Sequence, residues 1–251
     1  MELEGQVVIV AGVGPGLGSA VVSQLASSKA TVVGWARSRP HLEQLAEHAR
    51  EQHWRFSPRQ VDLHAQDQVD AAVVDCRERF GRIDALALTV GRWVGGATRI
   101  HELSDREWSE GLLDNVEPVF RALRRVLPVM MAQRRGAVVL VSAAEKVRFD
   151  GSASYAIAKA GLLQLTQNLA AEYRAYGVRV NAVLPGNMGS PSAPDPPDLG
   201  GALPLRTEVE TAPWEVARSI VFLLSPASRW TTGAMVTVDG GSSTRAPEPP
   251  A

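Results

Sequence analysis

Tyr155 and Lys159 stand four residues apart, with Ser142 thirteen positions upstream of the tyrosine. On a helix, residues at that spacing lie one turn above each other on one face. A lysine ammonium there sits near the phenol and favours its ionised form. A free tyrosine titrates near ~10, too high for efficient proton exchange at neutral pH. The fixed cation is therefore expected to lower the phenol toward the working range. Tyr-x-x-x-Lys pairs occur by chance on many helices, so the pair takes its meaning from the elements that position it.

The first of these lies at the N-terminus. Val7-Val8-Ile9-Val10 is a β-branched run bounded by glycines and reads as a buried strand. Ala11-Gly12-Val13-Gly14-Pro15-Gly16-Leu17-Gly18 follows, and then a stretch of helical spacing from Ser19 to Ser27. Strand, glycine turn and helix in that order make a phosphate site. The glycines let backbone approach a pyrophosphate, and the helix N-terminus offers free N–H groups and partial positive charge. The spacing is G-x-x-x-G-x-G through Gly12, Gly16 and Gly18, not the G-x-G-x-x-G fingerprint.

Apolar strand-like runs and helical patterns then alternate, as in a parallel sheet covered on both faces. Strands are expected at Thr31–Gly34, Arg59–Val61, Ala85–Thr89, Ala137–Val141, Val178–Leu184 and Met235–Val238. Helices are expected from Pro40 to Glu51 and from Asp67 to Phe80, from Ser104-x-x-Glu107 (a capping box) toward Met131, and through Tyr155 to Tyr176, where Gly177 stops the helix. Pro118 cannot donate to the carbonyl of Asp114, which frees an acceptor beside Asn115. Six prolines between 186 and 213 break the pattern and predict a lid. The proline-rich tail from Arg245 to Ala251 is expected to be flexible.

Taken in order, Gly12-x-x-x-Gly16-x-Gly18, Asp62, Asn115, Ser142, Tyr155-x-x-x-Lys159, Pro185-Gly186 and Val238-Asp239-Gly240-Gly241 resemble the classical short-chain dehydrogenase/reductase (SDR) family over roughly residues 5 to 243. The resemblance implies an α/β fold: a single-domain, Rossmann-type, doubly wound parallel sheet of about seven strands with helices on both faces. That domain would occupy residues 1–244 and include the lid at about 187–213. The implied reaction passes hydride between NADP(H) and a carbonyl or secondary alcohol. Tyr155 would be the acid–base group, Ser142 a donor to the substrate oxygen, and Lys159 the residue that orients the nicotinamide ribose. Asn115 would hold a water connecting Lys159 to solvent. The cofactor would meet Gly12, Gly14, Gly16, Leu17 and Gly18 of the turn, Arg37 and Ser38 after strand two, and Asp62 and Leu63. Thr89, Gly91, Tyr155, Lys159, Pro185, Gly186, Met188 and Ser190 would complete its site. Arg92, Trp93, Ala144 and Arg148 are expected around the substrate.

NADP(H) is favoured over NAD(H) because the family's acidic position after strand two falls at Ala36, with Arg37 next. A carboxylate there would accept from a ribose 2′-hydroxyl, whereas a guanidinium suits a 2′-phosphate. Three departures from the family pattern stand out. Its Asn-Asn-Ala-Gly reads Leu88-Thr89-Val90-Gly91, its Thr-Gly reads Ala11-Gly12, and Pro15 occupies a position often basic in NADP-preferring members. A catalytically idle dinucleotide-binding protein is the alternative these departures raise.

With 251 residues, 45% hydrophobic and 21% charged, the chain can bury one substantial core. A net charge of −1 gives no electrostatic reason for a nucleic-acid or membrane partner. Cys76 is the single cysteine and cannot form an internal disulfide, which points to a reducing compartment. The N-terminus lacks signal-peptide features and no apolar run is long enough for a membrane span, so a cytoplasmic location is expected. No metal site is expected from the five histidines, and His41, His48 and His53 fall where solvated residues belong. A small-molecule substrate and a homo-oligomer, tetramer or dimer, complete the expectation.

Overall fold

Val7, Ile9 and Ala11 enter one apolar cluster while Val8 and Val10 enter another, the period-two alternation of a strand buried on both faces. The computed structural model describes residues 3–94, 99–188 and 211–244. Its strands are β1 (Val7–Ala11), β2 (Thr31–Ala36), β3 (Phe56–Gln60), β4 (Ala85–Leu88), β5 (Gly136–Val141), β6 (Val178–Pro185) and β7 (Met235–Val238). All pair in parallel, in the order β3-β2-β1-β4-β5-β6-β7. The helices are α1 (Leu17–Ser27), α2 (Arg39–Glu51), α3 (Gln66–Phe80), α4 (Asp105–Gln133), α5 (Glu145–Asp150), α6 (Ala153–Tyr173) and α7 (Pro213–Leu224). The cluster on one face packs α1, α2 and α7, and that on the other packs α3, α4 and α6. This is the doubly wound sheet that the alternating pattern predicts.

The chain leaves β1 toward β2 on one side and later returns as β4 on the other side of β1. That reversal opens a crevice beyond the carboxyl ends of β1 and β4, the place where such sheets bind ligands.

Local signals account for several boundaries. The Ser104 hydroxyl accepts from the Glu107 N–H, and the Glu107 carboxylate accepts from the Ser104 N–H, closing the capping box. After α6 a short 3-10 turn ends at Gly177, whose φ of 71° lies in the left-handed region.

Three elements depart from the sequence pattern. β3 starts at Phe56 and ends before Val61; Pro58 is accommodated because β3 is an edge strand. α5 forms over the six residues after Ala144, where the sequence pattern assigns no element. α7 begins at Pro213, which the pattern places in the lid; proline is instead its first helical residue, and Val216, Ala217, Ile220, Val221 and Leu224 are buried. Most of the expected lid, including Ser190, and the tail from Arg245 lie outside the described residues. The ends of that segment meet, since the Thr211 N–H donates to the Asn187 carbonyl at 2.7 Å.

Candidate active site

Gly12 follows β1 with a φ of +105°, and a Cβ there would lie 2.7 Å from Val90 Cγ1. A Cβ on Gly18 would collide with the Gly12 carbonyl and lie 2.7 Å from Val13 Cα. These two glycines let the turn fold back on itself. Gly14 and Gly16 face open space instead. Gly16 is the N-cap of α1, with no side-chain cap and no acidic residue in the first turn. The start of α1 is thus a cradle of backbone donors open to an anion.

The glycine turn ahead of α1 borders, through Gly12, Val13, Gly14 and Pro15, a cavity of about 760 Å³. From the expected set Gly12, Gly14, Arg37, Ser38, Asp62, Leu63, Thr89 and Gly91 line it, together with Pro15. Ser38 is the N-cap of α2 but makes no capping bond from its side chain. The Arg37 carbonyl accepts from Gln60 Nε2 at 3.0 Å, leaving the exposed guanidinium directed by a fixed backbone. Size and backbone donors fit a nicotinamide dinucleotide.

Thr89 replaces part of what the altered motif loses. Its hydroxyl lies 3.0 Å from the Gly12 carbonyl and 3.2 Å from that of Ala11, bracing β4 against the turn.

Beyond Gly91, the side chains of Asn115, Lys159 and Tyr155 come together. Asn115 is fully buried; its Nδ2 donates to the carbonyls of Gly111 and Arg92, both at 3.0 Å, and its Oδ1 accepts from the Arg92 N–H at 3.2 Å. Asn115 therefore clamps the loop after β4 onto α4. A Cβ on Gly91 would lie 2.6 Å from Lys159 Nζ and 2.8 Å from Asn115 Oδ1, so only a glycine lets the loop close over the ammonium. Lys159 Nζ donates to the Val141 carbonyl at 3.3 Å and lies 5.8 Å from the centre of the Tyr155 ring. α6 is capped by Ser152, whose hydroxyl accepts from the Tyr155 N–H at 3.3 Å. The helix spacing does bring Tyr155 and Lys159 together.

The titration of that pair corrects the expectation. Burial pushes the Tyr155 phenol up to about 12, with Arg148 pulling the other way. Burial alone pulls Lys159 down to about 8. Desolvation of the phenol outweighs the opposing charge of Arg148.

A family model described as enoyl-(acyl carrier protein) reductase matches residues 12–243. The chain belongs to the short-chain dehydrogenase/reductase family. This SDR is 30% identical over 247 residues to a 3-oxoacyl-[acyl-carrier-protein] reductase of Thermotoga maritima, covering 96% of this chain and 99% of that one. It is 32% identical to an A-factor type gamma-butyrolactone 1′-reductase of Streptomyces virginiae, covering 95% and 96% of the two chains. A crystal structure of an SDR from Burkholderia xenovorans superposes with a TM-score of 0.86 at 29% identity, over 98% of this chain and 99% of that one. A variant of actinorhodin polyketide ketoreductase crystallised with NADPH gives 0.82 at 25% identity, over 98% and 100%. The protein is accordingly an NAD(P)-dependent oxidoreductase.

The remaining expected residues of the SDR site divide. Ser142 stands at the end of β5, but its hydroxyl donates to the Lys159 carbonyl at 2.7 Å and must rotate to serve a substrate oxygen. Trp93 is half-exposed and meets the Tyr155 ring edge-on, with centroids 4.8 Å apart. Arg148 donates to the Ala143 carbonyl and acts on Tyr155 through its charge. Ala144 is fully buried, its N–H bound to the Pro185 carbonyl, so it presents no side-chain surface to a substrate. Arg92 lines the cavity and pairs with Asp114 at 3.3 Å and Glu110 at 3.5 Å, the carboxylates of α4. Pro185 ends β6, Gly186 packs on Asp239 and Met188 packs on the core; none lines the cavity, and neither do Leu17, Gly16 or Gly18.

His41 and Ser19 are the neighbours that sequence spacing does not reveal. His41 lines the cavity, and its Nε2 lies 3.0 Å from Ser19 Oγ. A polar residue following Gly18, on the first turn of α1, is the one signal that could have pointed there.

Proposed function

We propose that this SDR reduces a small-molecule ketone with NADP(H), and that Tyr155 delivers the proton. The observation that supports the reading is the Tyr155 phenol, buried with the Lys159 ammonium 5.8 Å from its ring centre at the carboxyl end of the sheet. A phenol carries its proton at neutral pH and so starts in the form that reduction requires, although burial, which raises it to about 12, leaves it a weaker acid in the unliganded chain than a free tyrosine. The cofactor, when bound, supplies hydride to the carbonyl carbon. Tyr155 then gives its proton to the carbonyl oxygen as negative charge develops there. Ser142, once its hydroxyl turns from the Lys159 carbonyl, donates to that same oxygen. Lys159 contributes a cation beneath the ring, and Asn115 holds the loop that closes over it. That Asn115 holds a water between Lys159 and solvent is part of the same proposal.

The aromatic surface of Trp93 favours apolar ketones. The named activities of the relatives, on 3-oxoacyl, butyrolactone and polyketide substrates, make such ketones the first to assay. In the oxidation direction the phenol must first lose its proton. Alcohol oxidation is therefore expected to rise with pH, and carbonyl reduction to persist at neutral pH.

Arg37 would discriminate the cofactor. It lies after β2 with no ion-pair partner among the described residues, and no carboxylate replaces Ala36. The variant Arg37→Asp is expected to lose about ten-fold in NADPH affinity, the scale of one charge-assisted hydrogen bond, and to gain NADH use. Equal affinity of the wild type for both cofactors, or an unchanged ratio in the variant, contradicts the assignment. Turnover of a ketone panel with NADPH tests the activity itself.

A homo-oligomer, tetramer or dimer, is part of the same proposal. Leu113 and Phe120 of α4 and Ile157 of α6 are exposed, and a Cβ on Gly161 would meet nothing within 4 Å, leaving an apolar face open for a second copy. Light scattering at micromolar concentration is expected to give a multiple of the 26.9 kDa chain mass. A monomer contradicts it. A cytoplasmic location is also proposed; among the described residues no helix is long and apolar enough to cross a membrane.

A further inference from the structure

His41 lies in the first turn of α2, half-buried, and faces the same part of the cavity as Arg37, Ser38 and Gly14. Ser19, three percent exposed, donates its hydroxyl to the Gly14 carbonyl at 2.8 Å. A serine hydroxyl has one proton. With that proton committed to Gly14, Ser19 Oγ accepts from His41 at 3.0 Å, so Nε2 is the protonated nitrogen. The Gly14 carbonyl also takes the Ser19 N–H at 3.1 Å. His41, Ser19 and Gly14 therefore tie α2 to the glycine turn. Among the described residues, Nδ1 of His41 has no hydrogen-bond partner.

The turn itself is short of a donor. Pro15 has neither an N–H nor a charge to offer, so the adenosine end depends on what α2 brings. The charged groups nearby are largely committed: Arg39 pairs with Glu43 at 2.8 Å, and His64 lies 3.6 Å from Asp114, which also holds Arg92. Asp62 accepts from the His64 N–H at 3.0 Å. Arg37 and His41 remain for a ligand.

We propose that His41 is a second cofactor-specificity residue, donating from Nδ1 to a ribose 2′-phosphate while Nε2 keeps Ser19 and the glycine turn in place. This rests on the NADP(H) reading above. With a proton on each ring nitrogen, the ring donates to the phosphate and to Ser19 at once. His41 thus supplies the basic group that Pro15 does not.

The test uses the full chain with two nucleotides that differ only in the 2′-phosphate, adenosine 2′,5′-bisphosphate and adenosine 5′-monophosphate. Neither carries nicotinamide, so catalysis does not enter the readout. His41→Ala is expected to weaken the bisphosphate about ten-fold and the monophosphate far less. Retained monophosphate binding shows that the variant is folded. Ser19→Ala removes only the brace and is expected to weaken both nucleotides alike; His41→Arg is expected to restore discrimination. If His41→Ala weakens both equally, or neither, the proposal is overturned while the NADP(H) reading stands. If the wild type itself binds the two nucleotides equally, the NADP(H) reading falls and His41 falls with it.

Discussion

Tyr155→Phe is expected to lower turnover about 10²–10⁴-fold, the usual contribution of a positioned acid–base group, while folding and NADPH binding persist. The substitution removes the phenolic oxygen and nothing else. The ring keeps its edge-on contact with Trp93, and the backbone N–H keeps its bond to the Ser152 cap. Thermal melting and cofactor titration are therefore expected to match the wild type within error, so that the loss appears in kcat rather than in cofactor affinity. Turnover within a few-fold of the wild type would remove Tyr155 from the mechanism.

Lys159→Met is expected to abolish most activity and, at the same time, to stabilise the free protein at neutral pH. Lys159 is a buried ammonium whose one hydrogen bond in the described structure goes to the Val141 carbonyl. Its folded value lies near 8 against 10.5 for the ordinary group. Between those values the unfolded chain binds more protons than the folded one, so wild-type stability rises with pH across that interval. Tyr155 acts oppositely above pH ~10, where the unfolded phenol ionises and the folded one, near 12, does not. The clean window is pH 8 to 10. Below it the buried charge costs at most about 3 kcal/mol, which methionine of similar length avoids. The variant is expected to melt several degrees higher than the wild type at pH 7, with the gap narrowing toward pH 10. A lower melting temperature at pH 7, or a gap independent of pH, contradicts this account. Stability given up at a working residue is a common trade in enzymes.

The two predictions differ in how far the sequence supports them. The helix spacing of Tyr155 and Lys159, the glycines at 12 and 18, and the Ser104 capping box are local signals, and each has its structural counterpart in place. Thr89 was legible too, as a hydroxyl where the family pattern has an amide, and it braces the turn. What local spacing does not carry is burial. The direction of the Tyr155 shift is set by its burial in the folded chain, where Trp93, more than sixty residues away in sequence, meets its ring. The ion pairs of Arg92 were not legible either, because its partners Glu110 and Asp114 lie on a different element. His41 looks like a solvated helix residue until α1 and α2 are set side by side around the cavity. α7 was hidden by a proline read as a breaker, although proline at a first helical position begins a helix as readily as it ends one.

The central claim is that hydride and proton meet on a carbonyl held by this chain. Its most direct test is reduction of a ketone panel with NADPH carrying deuterium in the transferable nicotinamide position, followed by analysis of the product alcohol. With the wild type, one deuterium is expected at the carbinol carbon for each cofactor consumed, and Tyr155→Phe should give almost none in the same time. Tight cofactor binding without deuterated alcohol from any ketone would contradict the claim and leave a dinucleotide-binding protein that does no chemistry.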